Sequence, residues 1–272
     1  MIRSDLYVES TGEVLVESLE SAQDELFLVN PTRDTMEELV TTVQGFDDPP
    51  VVKLFADEDP LKDVIKDFII ASSLADLVAD DVVTIRTLGD VPRSSLLLTD
   101  TFLISLVVGN ERVAGLSASE ESFIGSTHSH YEGRWQSAES FSLRTPPLTR
   151  IRETLEEDIG SGAVEDFDRV LDCLETARGD GDGLDEVTIA LLVAANNGVL
   201  LYDVSRWGED IRLASKATFS RSKNRLEDKG LIDTEKVPID VGRPRLRLRL
   251  GDGELRAADI EAVAERAQEK LN

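Results

Sequence analysis

Residues 245–250 read RLRLRL. A strict period of two suits an extended strand, because a helix would scatter the leucines around its circumference. Leu246, Leu248 and Leu250 therefore face a core and Arg245, Arg247 and Arg249 face solvent. Such a strand needs a partner, which VPI supplies across the turn DVGRP. Upstream, Ser215 stands as the N-cap of a helix beginning at Lys216, with Phe219, Ser222 and Leu226 at inward spacing. Gly230 ends that helix as a C′ residue. LDEVTIALLVAANN and VLLYDVSRWGED predict two earlier helices, the first with Val187, Leu191 and Ala194 or Ala195 on one side. Three helices followed by a two-stranded wing form a winged helix-turn-helix over 184–250. The stretch joining its first two helices is long and apolar, so Tyr202 and Trp207 are expected in the core.

Charge sets this segment apart. The chain of 272 residues carries 54 acidic and 29 basic residues, a net charge of −25, and only eight of the basic ones are Lys. That balance suits a halophilic protein, whose carboxylate surface stays hydrated in concentrated salt while its self-repulsion is screened. Between Arg212 and Arg249, eleven basic residues face five acidic ones, a local +6 that leaves −31 elsewhere. A basic island on an acidic chain is the footprint of a polyanion-binding surface.

The first half alternates strands and helices. ELFLVN, VVKLFA, VVTIRTL, SSLLLT and TFLISLVV have strand length and composition. TRDTMEELVTTV and PLKDVIKDFIIASSLADLV carry helical apolar spacing. This order predicts an α/β domain over 1–145 with a substantially parallel sheet and antiparallel strands at one end, the GNE at 109–111 marking a turn. The Ser- and His-rich stretch 115–145 reads as a strand pair on an excursion. A helical connector follows over 146–183, opened by Pro146 and Pro147, and 251–272 forms a C-terminal helix with Ile260, Val263, Ala267 and Leu271 aligned. The run GDGDG at 179–183 lacks the ligand alternation of a calcium loop and reads as a solvated linker. Cys173, the single cysteine, reads as a buried structural thiol, and no cofactor is expected. His128 and His130, the two histidines, have no spaced acidic or Cys partner for a metal and are placed in a ligand-facing or solvent loop. The N-terminus has neither the apolar core of a signal peptide nor an anchor, so a cytoplasmic protein with no membrane partner is expected.

The stretch SKATFSRSKNRLEDKGLID, with its serine cap, T-x-S-R core and L-E-x-K-G-L-I exit, resembles the recognition helix and wing entry of winged-helix transcription regulators. As a whole, the α/β half, helical connector and acidic composition resemble the haloarchaeal TbsP-like regulators. That resemblance implies control of central carbon metabolism alongside the sugar-responsive regulator TrmB. The first half also resembles the phospholipase-D-like effector domains of TrmB-type regulators. It lacks their relatives' catalytic H-x-K pattern, since the corresponding strand reads RSSLLLTD, and no enzyme activity is expected.

A recognition helix of this kind offers Lys216, Thr218, Lys223, Arg221 and Arg225 to bases or phosphates of promoter DNA, and Ser215 presents a capped helix start to a phosphate. Arg243, Arg245 and Arg247 on the wing would follow the backbone or minor groove. Surface ion pairing is the alternative for each arginine, and protein binding for the domain. For a small anionic effector, NPTRDT offers Thr32 and Arg33 at a helix start and VPRSS offers Arg93, Ser94 and Ser95, with Arg86 and Lys53 near strand ends. The metabolic resemblance makes fructose 1,6-bisphosphate the expected effector. Paired recognition helices imply a homodimer, with its seam on the C-terminal or connector helices. A first domain that only dimerises or binds a protein, and an α/β enzyme tethered to DNA, remain as alternatives.

Overall fold

The computed structural model describes residues 6–90, 92–108, 113–174, 176–178, 184–240 and 242–271. The acidic run 179–183, the turn at 109–111 and Val241 of the wing turn lie outside the described residues. The chain divides into two compact units, Met1–Ile65 with Ser73–Leu143, and Lys66–Ser72 with Arg144–Asn272.

The first unit comprises β1 (Leu6–Glu9), α1 (Thr11–Ser21), β2 (Glu25–Val29), α2 (Arg33–Gln44), β3 (Val51–Ala56), α3 (Glu58–Val64), α4 (Phe68–Ala79, here from Ser73 onward), β4 (Val83–Thr87), β5 (Ser95–Leu98), β6 (Leu103–Val108), β7 (Val113–Ala118) and α5 (Glu121–Ser137). Its strands form one sheet in the order β1-β7-β6-β5-β2-β3-β4. Only β2 with β3 and β3 with β4 pair in parallel. The remaining pairs are antiparallel, which corrects the expectation of a substantially parallel sheet. Connections as short as those joining β5, β6 and β7 leave no room for the crossover that parallel neighbours need. β2 is buried along Leu26–Val29 because both of its faces are covered.

Two further expectations are corrected. The single helix read across 60–78 is broken into α3 and α4. Asp67, 2% exposed, accepts the Ile69 N–H at 3.1 Å and starts a new helix there. The strand pair read within 115–145 is instead β7 followed by α5, a helix of 17 residues. Its apolar signal is faint because only Ile124, Tyr131 and Trp135 are buried, a single row that lies on Phe27, Val29, Phe55, Leu98 and Leu103 of the sheet. Ser126, Thr127 and Ser129 bond back to carbonyls three or four residues earlier, so hydroxyls that usually favour turns are satisfied within the helix.

Polar groups also tie α5 to the sheet. Trp135 packs edge-on against Phe27 and Phe55, and the Arg86 guanidinium donates to the Trp135 carbonyl. Lys53, on β3, lies 4.7 Å from the Phe27 ring centre and pairs with Glu25 at 2.7 Å and Glu132 at 2.8 Å. Burial alone would lower the Lys53 pKa, but hydrogen bonds to Glu132 and Glu25 outweigh it and raise it. The same Lys53 hydrogen bond is the main cause holding the Glu132 carboxyl below its ordinary value.

In the second unit, α6 (Leu148–Asp158), α7 (Ser161–Cys173), α8 (Glu186–Asn196), α9 (Leu201–Asp210), α10 (Lys216–Asp228), β8 (Ile232–Val237), β9 (Arg245–Leu250), α11 (Gly253–Ala257) and α12 (Ile260–Leu271) share one core. α8 is buried on every side from Val187 to Ala195, so it is the central helix and not an amphipathic one. Around it pack α7, α9, α10, α12 and β9. Cys173 is half-buried against this core, and burial raises its thiol pKa. The C-terminal helix is interrupted at Ala258, whose extended backbone separates α11 from α12. Ile260, Val263, Ala264 and Ala267 are buried within the chain, so the row read as a dimer seam is already covered.

The α9–α10 crossing depends on one small residue. A Cβ placed on Gly208 would lie 2.4 Å from the Phe219 ring, inside any real contact. Phe219 is fully buried and cannot swing into open space. Gly208→Ala is expected to destabilise the second unit by about 1–3 kcal/mol through overpacking, measured by urea melts. In the first unit, Glu132→Gln is expected to cost ~1 kcal/mol or less at pH 7. Glu132 has a depressed folded pKa, so its contribution is present above the unfolded value of ~4.3 and fades as pH falls through the folded value. The stability gap between wild type and variant should therefore narrow progressively as melts are taken at pH values falling below about 4.3.

Candidate nucleic-acid interface and small-ligand site

Ser215, extended at φ −73° and ψ 153°, caps α10 by accepting the Thr218 N–H at 3.2 Å. Arg212 takes the left-handed conformation at φ 64°, turning the chain between α9 and α10. Gly230, at φ 66°, ends the helix and sends Leu231 and Ile232 into the core. Gly251 is equally constrained, since a Cβ there would meet the Gly230 carbonyl oxygen at 2.3 Å. β8 and β9 then form the wing, with Thr234 opposite Leu248. Beyond the hairpin, Val199 accepts from the Leu248 N–H at 2.9 Å and Leu200 bridges Arg247, which ties the wing to the entry of α9.

Phe219 and Leu226 point inward, whereas Ser222 is half-buried and Lys223 takes the third core position. Lys223 is 8% exposed and its Nζ donates to Glu227 at 2.6 Å. This corrects its assignment to the DNA-facing set: its long stem fills the core edge and its charge is spent on a carboxylate of its own helix. The exposed row is Ala217, Ser220, Arg221 and Asn224, with Lys216 and Arg225 beside it. Ser220 and Asn224, four residues apart, and Arg221 and Asn224, three apart, are the neighbouring pairs of this row. Arg221 folds over its own helix toward the Ala217 carbonyl and the Thr218 hydroxyl. Lys216 pairs with Glu209 at 2.6 Å, and that hydrogen bond holds its ammonium above the ordinary value. Arg225 donates to the Leu271 carbonyl at 3.4 Å.

On the wing, Leu248 and Leu250 are buried and Leu246 half-buried, while Arg243 and Arg249 are exposed. Arg247 is half-buried, and its Nε has no hydrogen-bond partner among the described residues. Arg245 lies 4.0 Å from the centre of the Tyr202 ring and 3.5 Å from Asp203. Tyr202 is 44% exposed and not a core residue: its ring lies at the surface under the Arg245 guanidinium. Trp207 is buried as expected, and its indole N–H donates to Thr154 of α6 at 3.0 Å.

In the first unit, the two loops that hold the candidate anion-binding residues meet through Asn30. Its side chain donates to the Pro92 carbonyl at 2.8 Å, and its own carbonyl accepts from Ser95 at 2.7 Å. These two bonds tie the segment that precedes α2 to the one that precedes β5. Thr32 caps α2 by accepting the Thr35 N–H, and Ser95 is buried. Arg33 is held by Glu37 at 2.6 Å and lies 3.7 Å from Asp63. Arg93 and Ser94 are exposed. Arg86 does not join them: it lies two strands from β2 and is engaged by Trp135. Lys53 is likewise taken up by two carboxylates. A cleft of about 950 Å³ lies elsewhere, and Glu13, Glu17, Glu20, Glu38 and Asp47 line it, a field that repels anions. His128 is on α5 and not in a loop, 3.7 Å from Glu25, and His130 stacks edge-on with Tyr131. Among the described residues no cluster could hold a metal ion, and no helix is long and apolar enough to cross a membrane.

Comparison with known proteins adds family evidence. Among curated proteins none matches. Solved structures similar to this chain include TrmBL2, an archaeal chromatin protein, at 15% identity and TM-score 0.36, covering 50% of this chain and 54% of that one. The chain thus spans about half the length of that relative. Another is Nuc from Salmonella typhimurium, a phospholipase D family member, at 16% identity and TM-score 0.35, covering 51% of this chain and 99% of that one. NucT from Helicobacter pylori has 12% identity and TM-score 0.34, with coverage of 51% and 99%. Residues 3–146 match the model of the TbsP-like transcriptional regulator N-terminal domain, and residues 147–268 match its C-terminal HTH domain. Across both of its units, this chain belongs to the TbsP-like transcriptional regulators.

Proposed function

We propose that the protein is a sequence-specific DNA-binding regulator of central carbon metabolism, working as a cytoplasmic homodimer in concentrated salt and tuned by a small phosphorylated sugar. The observation that carries this reading is the exposed face of α10. Ala217, Ser220, Arg221 and Asn224 present small, amide and guanidinium groups in a row on a chain of net charge −25. Small residues let a helix approach base edges, Arg suits guanine and Asn suits adenine. The pairs Lys216–Glu209 and Arg245–Asp203 mask these cations in the free protein, and phosphates would compete for them. Arg243 extends the basic surface along the wing.

The effector reading rests on the Asn30 hydrogen bonds, which link the segment before α2 to the one that carries the exposed Arg93 and Ser94. The acidic character of the large cleft favours a second reading, in which the first unit serves dimerisation alone.

Anisotropy titrations against duplexes enriched from a random library test the DNA reading. Arg221→Ala is expected to cost about 1–3 kcal/mol on the selected sequence and to relax its specificity. Arg243→Ala should weaken all sequences alike and reduce the salt slope by about 1. Lys223→Met should lower the melting temperature and leave base preference unchanged. Wild-type affinity in both arginine variants would sink the DNA reading. Isothermal titration with fructose 1,6-bisphosphate tests the effector: wild type should bind, and Arg93→Ala should bind about tenfold more weakly or worse. Absence of heat with wild type leaves dimerisation as the role of the first unit.

A further inference from the structure

We infer that Tyr202 positions Arg245 on a backbone phosphate of bound DNA, and that the phosphate displaces Asp203 from Arg245 as it arrives. The inference rests on the DNA reading above and deepens it, by giving α9 two residues that set affinity for duplexes of any sequence.

Backbone pairing brings the three side chains together. Leu200 and Arg247 form an antiparallel bridge, and the Leu248 N–H donates to the Val199 carbonyl at 2.9 Å. Chain directions are opposed there, so moving two residues beyond Leu200 and two before Arg247 puts Tyr202 opposite Arg245. The Arg245 guanidinium accordingly lies over the Tyr202 ring, 4.0 Å from its centre. Tyr202 is 44% exposed and lies outside the core of the second unit, so burial does not account for an aromatic side chain here.

The two neighbours act on Arg245 in opposite senses. An aromatic face attracts a guanidinium but offers no oxygen to its N–H groups, so the ring restrains Arg245 and leaves its donors for another partner. Asp203 supplies an oxygen at 3.5 Å, a looser approach than the 2.6 Å of Lys216 to Glu209. The side chains of Arg245 and Asp203 are 37% and 43% exposed, and an exposed pair at that distance is weak. A phosphate oxygen makes shorter, charge-assisted bonds and takes its place. A cation already held in position also loses less side-chain freedom when the phosphate binds. Tyr202 reaches toward the recognition helix as well: the Glu209 hydrogen bond is the main cause raising the Lys216 pKa, and the Tyr202 phenol adds to it.

Anisotropy titrations of the full chain, against the enriched duplex and an unrelated one of equal length, test the assignment. Tyr202→Leu should weaken binding to both by about two- to fivefold and keep the preference between them. Tyr202→Phe, which retains the ring, should restore the affinity. Asp203→Asn should tighten binding to both duplexes by about twofold or more. In an Arg245→Ala background both effects should vanish, since each acts through that guanidinium. If Tyr202→Leu lowers the melting temperature but leaves DNA affinity unchanged, the ring only supports the wing and the inference is overturned. An equal loss in Tyr202→Phe, or effects that persist without Arg245, overturn it too. Should Tyr202→Leu misfold by circular dichroism, Asp203→Asn decides, and no gain in affinity sinks the displacement. In each of these cases a wild type that binds DNA leaves the DNA reading standing, whereas a wild type that binds neither duplex overturns both.

Discussion

Phe219 seated against the bare backbone of Gly208 fixes where α10 stands, and the nucleic-acid surface depends on that contact. Arg212 in its left-handed conformation delivers the chain to the right place, and Ser215 begins the helix there. With Phe219 and Leu226 anchored in a core centred on α8, the opposite side of α10 must face outward. The wing is held to the same core by Leu248 and Leu250 and to the entry of α9 by the Val199 hydrogen bond. Local backbone choices and one close approach thus set the spacing between recognition helix and wing.

Electrostatics organises the rest. An acidic chain stays hydrated in salt but makes every carboxylate-lined surface poor at binding anions or a second copy of itself. Cations are therefore kept close to specific tasks. Lys53 and Arg86 hold α5 to the sheet, Arg33 braces the start of α2, and Lys223 seals the core edge of α10. Among the described residues, exposed cations cluster on α10 and the wing, at Lys216, Arg221, Arg225, Lys236, Arg243 and Arg249, while others such as Lys62, Lys66, Arg144, Arg150 and Arg266 are spread over the rest of the chain. Four cations that looked available in the sequence are spent on architecture, because charge counts do not reveal which carboxylate lies within 3 or 4 Å.

Much of the second unit was legible. The period-two strand, the Ser cap and the terminating Gly each report a local backbone state, and local states survive folding with little dependence on distant residues. The same holds for β2, β3 and β5, whose apolar runs are too short for helices. Legibility failed where a helix had little amphipathic pattern. α5 buries only three side chains and carries many hydroxyls, so its polar sequence resembled a loop. The opposite failure occurred at α8, where burial on all sides hid which face met which neighbour.

The sequence by itself determined that there would be an α/β half, a winged helix-turn-helix and a basic island, because periodicity, caps and charge are properties of short stretches. Tertiary structure alone decided that α5 covers part of one sheet face, that Tyr202 lies outside under Arg245, and that the loops at Thr32 and Arg93 meet through Asn30. It also decided which lysines and arginines remain exposed. The physical reason is common to all four: each depends on which distant segment arrives as a neighbour, and strand order and helix crossing, not local spacing, select that neighbour.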